Sequence, residues 1–147
     1  MDATDLLIPA KSTHRAAIIK LLSTLNMPTV DLPESLDNFL VVENADAVIG
    51  SCGLEQFGSM ALLRSLAVEK NQQGKGLGNL LYQTALDLAK DKGITEVYLI
   101  TNTAADFFAK QGFTPVERAA VPAAIQGTAQ FTSVCPSSAT VMYKKII

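Results

Sequence analysis

The stretch that decides the fold is residues 68–81, which read Val-Glu-Lys-Asn-Gln-Gln-Gly-Lys-Gly-Leu-Gly-Asn-Leu-Leu. It follows an apolar run at residues 60–68 that is typical of a strand, and it leads into leucines at helical spacing. Three glycines let the backbone turn tightly and leave room for a ligand, and the N–H groups of a helix's first turn attract anions. The stretch therefore predicts a strand–loop–helix unit that binds a phosphate or pyrophosphate, with Lys75 adding positive charge.

Two familiar phosphate-binding patterns do not match this loop. A Walker A loop needs Ser or Thr directly after its lysine, whereas Gly76 follows Lys75. A dinucleotide-binding fingerprint needs a glycine where this chain has Asn79, and it belongs to the first strand–helix unit of a parallel sheet. On the glycines alone, an ordinary strand-to-helix connection without a ligand therefore stays open as the alternative.

A third pattern does match. Gln73-x-x-Gly76-x-Gly78 resembles the Q/R-x-x-G-x-G/A loop of the GNAT family of N-acetyltransferases, and Leu66-Ala67-Val68 resembles that family's fourth strand. Residues 101–113, Thr-Asn-Thr-Ala-Ala-Asp-Phe-Phe-Ala-Lys-Gln-Gly-Phe, resemble the family's second recurring segment, N-x-x-A-x-x-F-Y-x-x-x-G-F. The two segments occur in the family's order and at its separation. The order of predicted strands and helices along the whole chain agrees with the family as well, so the resemblance covers essentially the full chain.

Outward from the loop, strand and helix patterns follow one another in the order that the resemblance implies. The predicted strands are residues 6–9, 39–43, 47–55, 60–68, 96–101, 114–118 and 140–145. The predicted helices are one opened by Ser12 or Thr13 with an apolar face over residues 18–25, a short piece at 34–38, one from Leu77 closed by Gly93, one at 104–111, and a helical turn within 123–131. The resemblance implies one α+β or α/β domain over residues 1–147. Its GNAT-like mixed, mostly antiparallel central sheet would have about six to seven strands, flanked by helices, with splayed central strands.

The resemblance also implies acetyl-CoA as cosubstrate, with no metal. The glycine loop would hold the pyrophosphate through backbone amides, and the strand before it would pair with the pantetheine arm. The cofactor-binding residues that it implies are Leu66, Ala67, Val68, Gln73, Gly74, Lys75, Gly76, Leu77, Gly78, Asn79, Thr101, Asn102 and Phe108. A neutral amine would then attack the thioester directly, with an amide N–H of the fourth strand facing the developing oxyanion.

The catalytic acid and base are the points where the chain departs from the family. Phe108 stands where a tyrosine often protonates the leaving thiolate, and Thr101 stands at the usual asparagine position. A thiol of ordinary pKa leaves as thiolate without strong acid help, so activity is still expected. Glu55 is the first candidate base and Glu69 the second. For Glu55 a surface carboxylate, or an ion pair with Arg64 on the neighbouring strand, remains the alternative.

The acceptor site in this fold is expected from the early helical region, residues 26–38, and the long late loop, residues 119–137. Arg64, Arg118 and Cys135 are the candidate substrate-binding residues. Arg64 lies inside an apolar strand, where a buried guanidinium needs a carboxylate, from either the protein or the substrate. Cys135 is either an arsenic contact or, more simply, a small apolar filler.

Several stretches are similar to acetyltransferases encoded beside arsenic-resistance genes. They are residues 62–68, the phenylalanine pair at 107–108, residues 122–125 and residues 135–139. This narrower resemblance implies an amine acceptor that is amino-acid-like or contains arsenic. The competing interpretations are a non-catalytic acyl-CoA-binding or regulatory module on the same fold, and an N-acetyltransferase acting on proteins.

Composition excludes several other classes. Of the 147 residues, 48% are apolar and 18% charged, the net charge is −2, and no basic block occurs, so no nucleic-acid partner is expected. The apolar runs are far shorter than the ~20 residues of a membrane-spanning helix. Two distant cysteines and one histidine, His14, predict no metal site, and His14 is expected to be a solvated polar residue. The first residues do not match a secretion signal, so we expect a cytoplasmic monomer or homodimer.

Overall fold

A computed structural model of the chain describes residues 5–27, 29, 32–45, 47–102, 104–128 and 139–147. Its strands are β1 (Asp5–Pro9), β2 (Phe39–Asn44), β3 (Ala47–Phe57), β4 (Met60–Val68), β5 (Glu96–Thr101), β6 (Thr114–Pro115) and β7 (Thr140–Lys145). Its helices are α1 (Arg15–Thr24), α2 (Leu77–Asp91), α3 (Ala105–Lys110) and α4 (Ala123–Gln126). The strands form one seven-stranded sheet in the order β1-β2-β3-β4-β5-β7-β6. The expected mixed, mostly antiparallel sheet is confirmed, because only the β4–β5 pair is parallel.

Helices cover both faces of the sheet. The apolar stripe that the leucine spacing predicted on α2 is buried against β3 and β4, and includes Leu77, Leu81 and Ala85. On the opposite face Ile18, Leu21 and Leu22 of α1 pack against β2 and the middle of the sheet. The two central strands, β4 and β5, are thus packed between helices on both faces.

β4 and β5 pair only at one end. Their register joins Met60, Ala61 and Leu62 to residues 96–98, and no pairing continues beyond Leu62 among the described residues. The expected splaying of the central strands is therefore confirmed. A gap opens between the second halves of β4 and β5, and the backbone polar groups along it are available to a ligand.

The predicted boundaries of β4, β5 and β7 agree with the structure, and two other local expectations are wrong. Residues 34–38 form bends and turns instead of a helix, with Arg15 donating hydrogen bonds to the carbonyls of Pro33 and Glu34. The sixth strand stops at Pro115 instead of reaching residue 118, where a 3₁₀ turn (Arg118–Ala120) begins. For residues 34–38, the contact with a side chain of another element outweighs local helix propensity.

His14 is buried, in contrast to the expected solvated position. Its Nδ1 accepts a hydrogen bond from the Lys11 N–H at 2.9 Å, which closes the short 3₁₀ turn Ser12–His14 before α1. Its Nε2 lies 3.3 Å from a carboxylate oxygen of Glu43 on β2. The histidine thus ties the start of α1 to the sheet. Among the described residues, no helix has the length and apolar character needed to cross a membrane.

Candidate active site

The glycine loop between β4 and α2 adopts a conformation that requires glycine at two positions. Gly74 has φ of 83° and Gly76 has φ of 85°, both in the left-handed region. A Cβ built on either residue meets no protein atom within 4 Å, so the backbone conformation and not the packing requires glycine. Gly76 is the N-cap of α2, and the first-turn N–H groups that follow it have no partner inside the helix.

This loop borders a cavity of about 460 Å³. The cavity is lined by Leu66, Ala67, Val68, Gln73, Gly74, Gly76, Leu77, Gly78, Asn79, Ala104 and Phe107. The side chain of Gln73 donates a hydrogen bond to the carbonyl of Val68 at 2.9 Å, and so ties the loop to the end of β4. Lys75 is not among the lining residues, and its Nζ donates to the Gln72 side chain at 3.1 Å. The helix N-terminus, more than Lys75, makes this cavity suitable for an anion.

A second cavity of about 400 Å³ occupies the gap between β4 and β5. It is lined by Leu25, Asn26, Met27, Leu63, Arg64, Ser65, Leu66, Leu99, Ile100, Thr101, Asn102, Ala104 and Phe108. Leu66 and Ala104 line both cavities, so the two adjoin at these residues, and together they are called the groove below. All expected cofactor-binding residues except Lys75 line this groove.

Ser65, which lines the strand gap with φ of 57°, is a site residue that no sequence pattern predicts. Asn26 and Met27 lie in the region expected to form the acceptor site, and Asn26 also has a positive φ, of 56°. Asparagine adopts this conformation more readily than most residues, which is the one sequence signal for that turn. Ser65 of β4 and Asn26 after α1 thus bring polar groups from two parts of the chain to the strand gap.

Arg64 and Glu55 form a buried ion pair across β4 and β3. Arg64 Nη1 lies 2.5 Å from Glu55 Oε1, and the arginine side chain is 1% exposed. Glu55 lines a separate cavity of about 300 Å³, together with Asn38 and Phe57, while Arg64 lines the strand gap. The structure therefore adopts the ion-pair alternative for Glu55, and its carboxylate does not line the groove.

An aromatic cluster forms the floor of the groove on the α3 side. Phe107 lines the loop cavity and Phe108 lines the strand gap. Tyr82 of α2 packs edge-on beneath them, with ring centroids 6.2 Å from each. Burial raises the pKa of Tyr82 to about 12, and burial likewise raises the pKa of Cys52 to about 12. Both groups stay protonated at neutral pH, so neither serves as a base.

The other expected residues have different surroundings. Thr101 Oγ1 accepts a hydrogen bond from the Ala104 N–H at 2.9 Å and so shapes the turn into α3. Arg118 donates to the Ala139 carbonyl at 3.5 Å and lines neither cavity of the groove. Cys135 lies outside the described residues. Of the three acceptor candidates, the structure thus places Arg64 in the groove and Arg118 away from it.

Comparison with known proteins adds an independent finding. The acetyltransferase (GNAT) domain family matches residues 35–115, which is more than half of the chain. An uncharacterized N-acetyltransferase of Chlorobaculum tepidum is 31% identical over 90 residues, a match that covers 60% of this chain and 57% of that protein. An amino-acid acetyltransferase of Mycobacterium tuberculosis is 28% identical over 146 residues, covering 92% of this chain and 80% of that protein.

Solved structures share the fold at lower identity. N-acetylglutamate synthase from Neisseria gonorrhoeae, complexed with coenzyme A and L-arginine, gives a TM-score of 0.80 at 18% identity, covering 98% of this chain and 34% of that one. A Mycobacterium tuberculosis protein in complex with CoA and NLQ gives 0.78 at 24% identity, covering 97% and 99%. With its motifs, its splayed sheet and the family match in agreement, the chain belongs to the GNAT acetyltransferase domain family.

Proposed function

We propose that this protein transfers the acetyl group of acetyl-CoA to the amino group of a small, carboxylate-bearing acceptor. The observation that carries the proposal is the groove of two adjoining cavities, with a helix N-terminus at one end and the buried Arg64 at the other. One end suits a pyrophosphate and the other a carboxylate, and the strand gap between them suits a narrow chain.

The loop is suited to coenzyme A because of its backbone. Gly74 and Gly76 have positive φ and carry no side chain, and the first-turn N–H groups of α2 that follow them have no partner inside the helix. The backbone of residues 66–68 borders the same cavity and can hydrogen-bond to an extended amide-containing arm. When bound, acetyl-CoA supplies an activated acetyl thioester, and the remaining chemistry is positioning by the chain's own groups.

The transfer itself needs a neutral amine. The nitrogen lone pair forms the new N–C bond, the C–S bond breaks with its electrons on sulfur, and the amine gives up one proton. An unperturbed ammonium has a pKa near ~10, so part of the barrier is its deprotonation. With Glu55 held by Arg64 and Phe108 in place of a tyrosine, we propose that bulk water receives this proton.

The acceptor class is proposed from Arg64. A guanidinium presents a planar fork of donors that matches a carboxylate, and a substrate carboxylate would share this guanidinium with Glu55, which pairs with Nη1. Arg64 lines the strand gap beside Ser65, Thr101 and Asn102, which can hydrogen-bond to the rest of a polar acceptor. An amino-acid acetyltransferase among the relatives supports this assignment. The similarity to arsenic-resistance acetyltransferases supports including arsenic-bearing amino acids.

Thiol release from acetyl-CoA tests the proposal on matched acceptors. Each amino acid, including glutamate, phenylalanine and an arsenical analogue, is compared with the amine that lacks its α-carboxylate. We expect kcat/KM at least ~10-fold higher for the amino acid of one or more pairs, corresponding to about 1.4 kcal/mol of recognition. The Arg64→Met/Glu55→Gln variant removes both charges together, and we expect it to lose that preference.

A non-catalytic acyl-CoA-binding module is the second candidate. The observation that favours it is the groove's lack of a side-chain acid or base among the described lining residues. Tight coenzyme A binding without thiol release on any acceptor would establish that function. Release only with a peptide N-terminus or lysine would instead establish a protein acetyltransferase.

A further inference from the structure

β4 has an irregularity where it pairs with β3. Ser51 lies opposite Ala67 and Gly53 opposite Arg64, so between these pairs one residue of β3 faces two residues of β4, Ser65 and Leu66. This is a β-bulge with its first residue, Ser65, at φ of 57°. Glycine is the residue that normally adopts this conformation, and a serine needs other contacts to hold it.

Two hydrogen bonds supply those contacts. The Ser51 hydroxyl, which is 0% exposed, donates to the Ser65 carbonyl at 2.7 Å. The Ser65 hydroxyl accepts from Arg64 Nε at 3.3 Å. A buried hydroxyl at short distance from its acceptor fixes the direction of that carbonyl, since breaking the bond would leave both groups unsatisfied.

The direction of the Ser65 carbonyl fixes the next N–H as well. The Ser65–Leu66 peptide is trans, because no described peptide bond is cis, and in a trans peptide the C=O and N–H point in opposite directions. With its carbonyl turned toward Ser51 on β3, this peptide directs the Leu66 N–H away from β3, toward the gap. Leu66 lines both cavities and so stands where the loop end and the acceptor end of the groove meet.

We propose that Ser51 is a positioning residue, whose buried hydroxyl locks the bulge so that the Leu66 N–H faces the thioester carbonyl of bound acetyl-CoA. Negative charge develops on that oxygen during transfer, and a fixed N–H donor stabilises it. Ser51 itself lines neither cavity of the groove. The inference rests on the proposed function and adds to it a residue on a neighbouring strand.

The test is a spectroscopic one that needs no acceptor. Acetyl-CoA labelled with ¹³C at the acetyl carbonyl is bound to the protein, and its carbonyl resonance is compared with that of the free molecule. A hydrogen bond to the oxygen moves the resonance downfield. We expect wild type to show this displacement and Ser51→Ala to lose most of it, with Kd for acetyl-CoA changed less than threefold. With an active acceptor, the kcat of Ser51→Ala should be about 10- to 100-fold lower than that of wild type, while its KM for acetyl-CoA should be unchanged.

Matched variants separate positioning from stability. Ser51→Thr keeps the hydroxyl and should restore the displacement. Thr84→Ala removes a comparable hydroxyl-to-carbonyl bond on α2, which is 2.8 Å long, and should leave the displacement unchanged. If Ser51→Ala folds poorly, the single variant Ser65→Gly is compared with the double variant Ser51→Ala/Ser65→Gly instead. Glycine adopts the backbone conformation of the bulge without strain, so the double variant should fold. The single variant should keep the displacement and the double variant should lose it.

The outcomes are distinct. If wild type does not bind acetyl-CoA, the proposed function fails and this inference fails with it. If wild type binds with a downfield displacement that persists when the Ser51 hydroxyl is removed, the proposed function stands and the positioning role is overturned. A bound resonance that matches free acetyl-CoA in wild type overturns it as well.

Discussion

Replacing Gly76 by alanine tests whether backbone geometry holds the cofactor. Gly76 has φ of 85° and ψ of 6°, where a Cβ destabilises the backbone by about 1–2 kcal/mol. Since a Cβ there meets no protein atom within 4 Å, the destabilisation comes from the backbone conformation alone, and we expect the loop to relax. A change of 1–2 kcal/mol lowers the binding-competent population by about 5- to 30-fold, and the apparent Kd for coenzyme A should rise by the same factor.

Two other glycines serve as controls for this variant. Gly78 lies in the first turn of α2 without a positive φ, and a Cβ there makes an ordinary contact of 3.8 Å with Val68. Gly78→Ala should therefore raise stability by about 0.5–1 kcal/mol and leave Kd within threefold. Gly93 has φ of 77° beyond the other end of α2, where the Ile94 N–H donates to the Ala89 carbonyl. Gly93→Ala should lower stability by about 1–2 kcal/mol with Kd unchanged.

Isothermal titration with coenzyme A and thermal unfolding measure both quantities for each variant. The chain contains no tryptophan, so calorimetry is preferred to intrinsic fluorescence. The reasoning is refuted if Gly76→Ala binds like wild type while Gly93→Ala shows the expected loss of stability. It is equally refuted if Gly78→Ala weakens binding as much as Gly76→Ala.

Three further predictions concern groups inside and beside the groove. Burial raises the pKa of the Cys52 thiol from 9.0 to about 12, so the folded state loses stability as the pH rises from 9.0 to about 12. Between pH 8 and about pH 10.5, the free energy of unfolding should fall by about 2 kcal/mol more for wild type than for Cys52→Ala, measured by urea unfolding. Identical pH profiles for the two proteins would contradict this. The Tyr82 hydroxyl is buried without a hydrogen-bond partner among the described residues, so Tyr82→Phe should raise Tm by about 2–4 °C, and an unchanged or lower Tm would count against it. Lys75→Ala should change Kd for coenzyme A by less than threefold at ~0.15 M salt, because its Nζ is directed to Gln72; a tenfold loss would assign the phosphate to the lysine instead.

Periodicity in the sequence predicted the elements whose structure is decided locally. The leucine spacing after Gly76 predicted α2, because an apolar stripe at intervals of three and four residues forms a helix when it is buried. The apolar runs predicted β4 and β5 with their observed boundaries. The loop between β4 and α2 was also predicted, since its glycines and their position before a helix indicate an anion site without knowledge of the sheet.

The remaining features depend on contacts between distant segments. Arg15 of α1 donates hydrogen bonds to the carbonyls of residues 33 and 34. Sequence periodicity does not indicate this contact, so it could not predict the turn that follows. His14 is buried because Glu43 of β2 lies beside it. The bulge at Ser65 arises from the register between β3 and β4, and a serine in an apolar run gives no signal of it. The splaying of the central strands was expected from the resemblance to a family, and no residue pattern predicts it directly.

We propose that one groove, from the glycine loop to the gap between β4 and β5, holds the cofactor through backbone groups. Amide hydrogen exchange with and without coenzyme A tests this most directly. We predict that binding slows exchange at residues 66–68, 74–79 and 104–108, while the edge strand β1 and the Gly93 turn exchange as before. Slowed exchange near Glu55 and Asn38, or no change at residues 74–79, would contradict it.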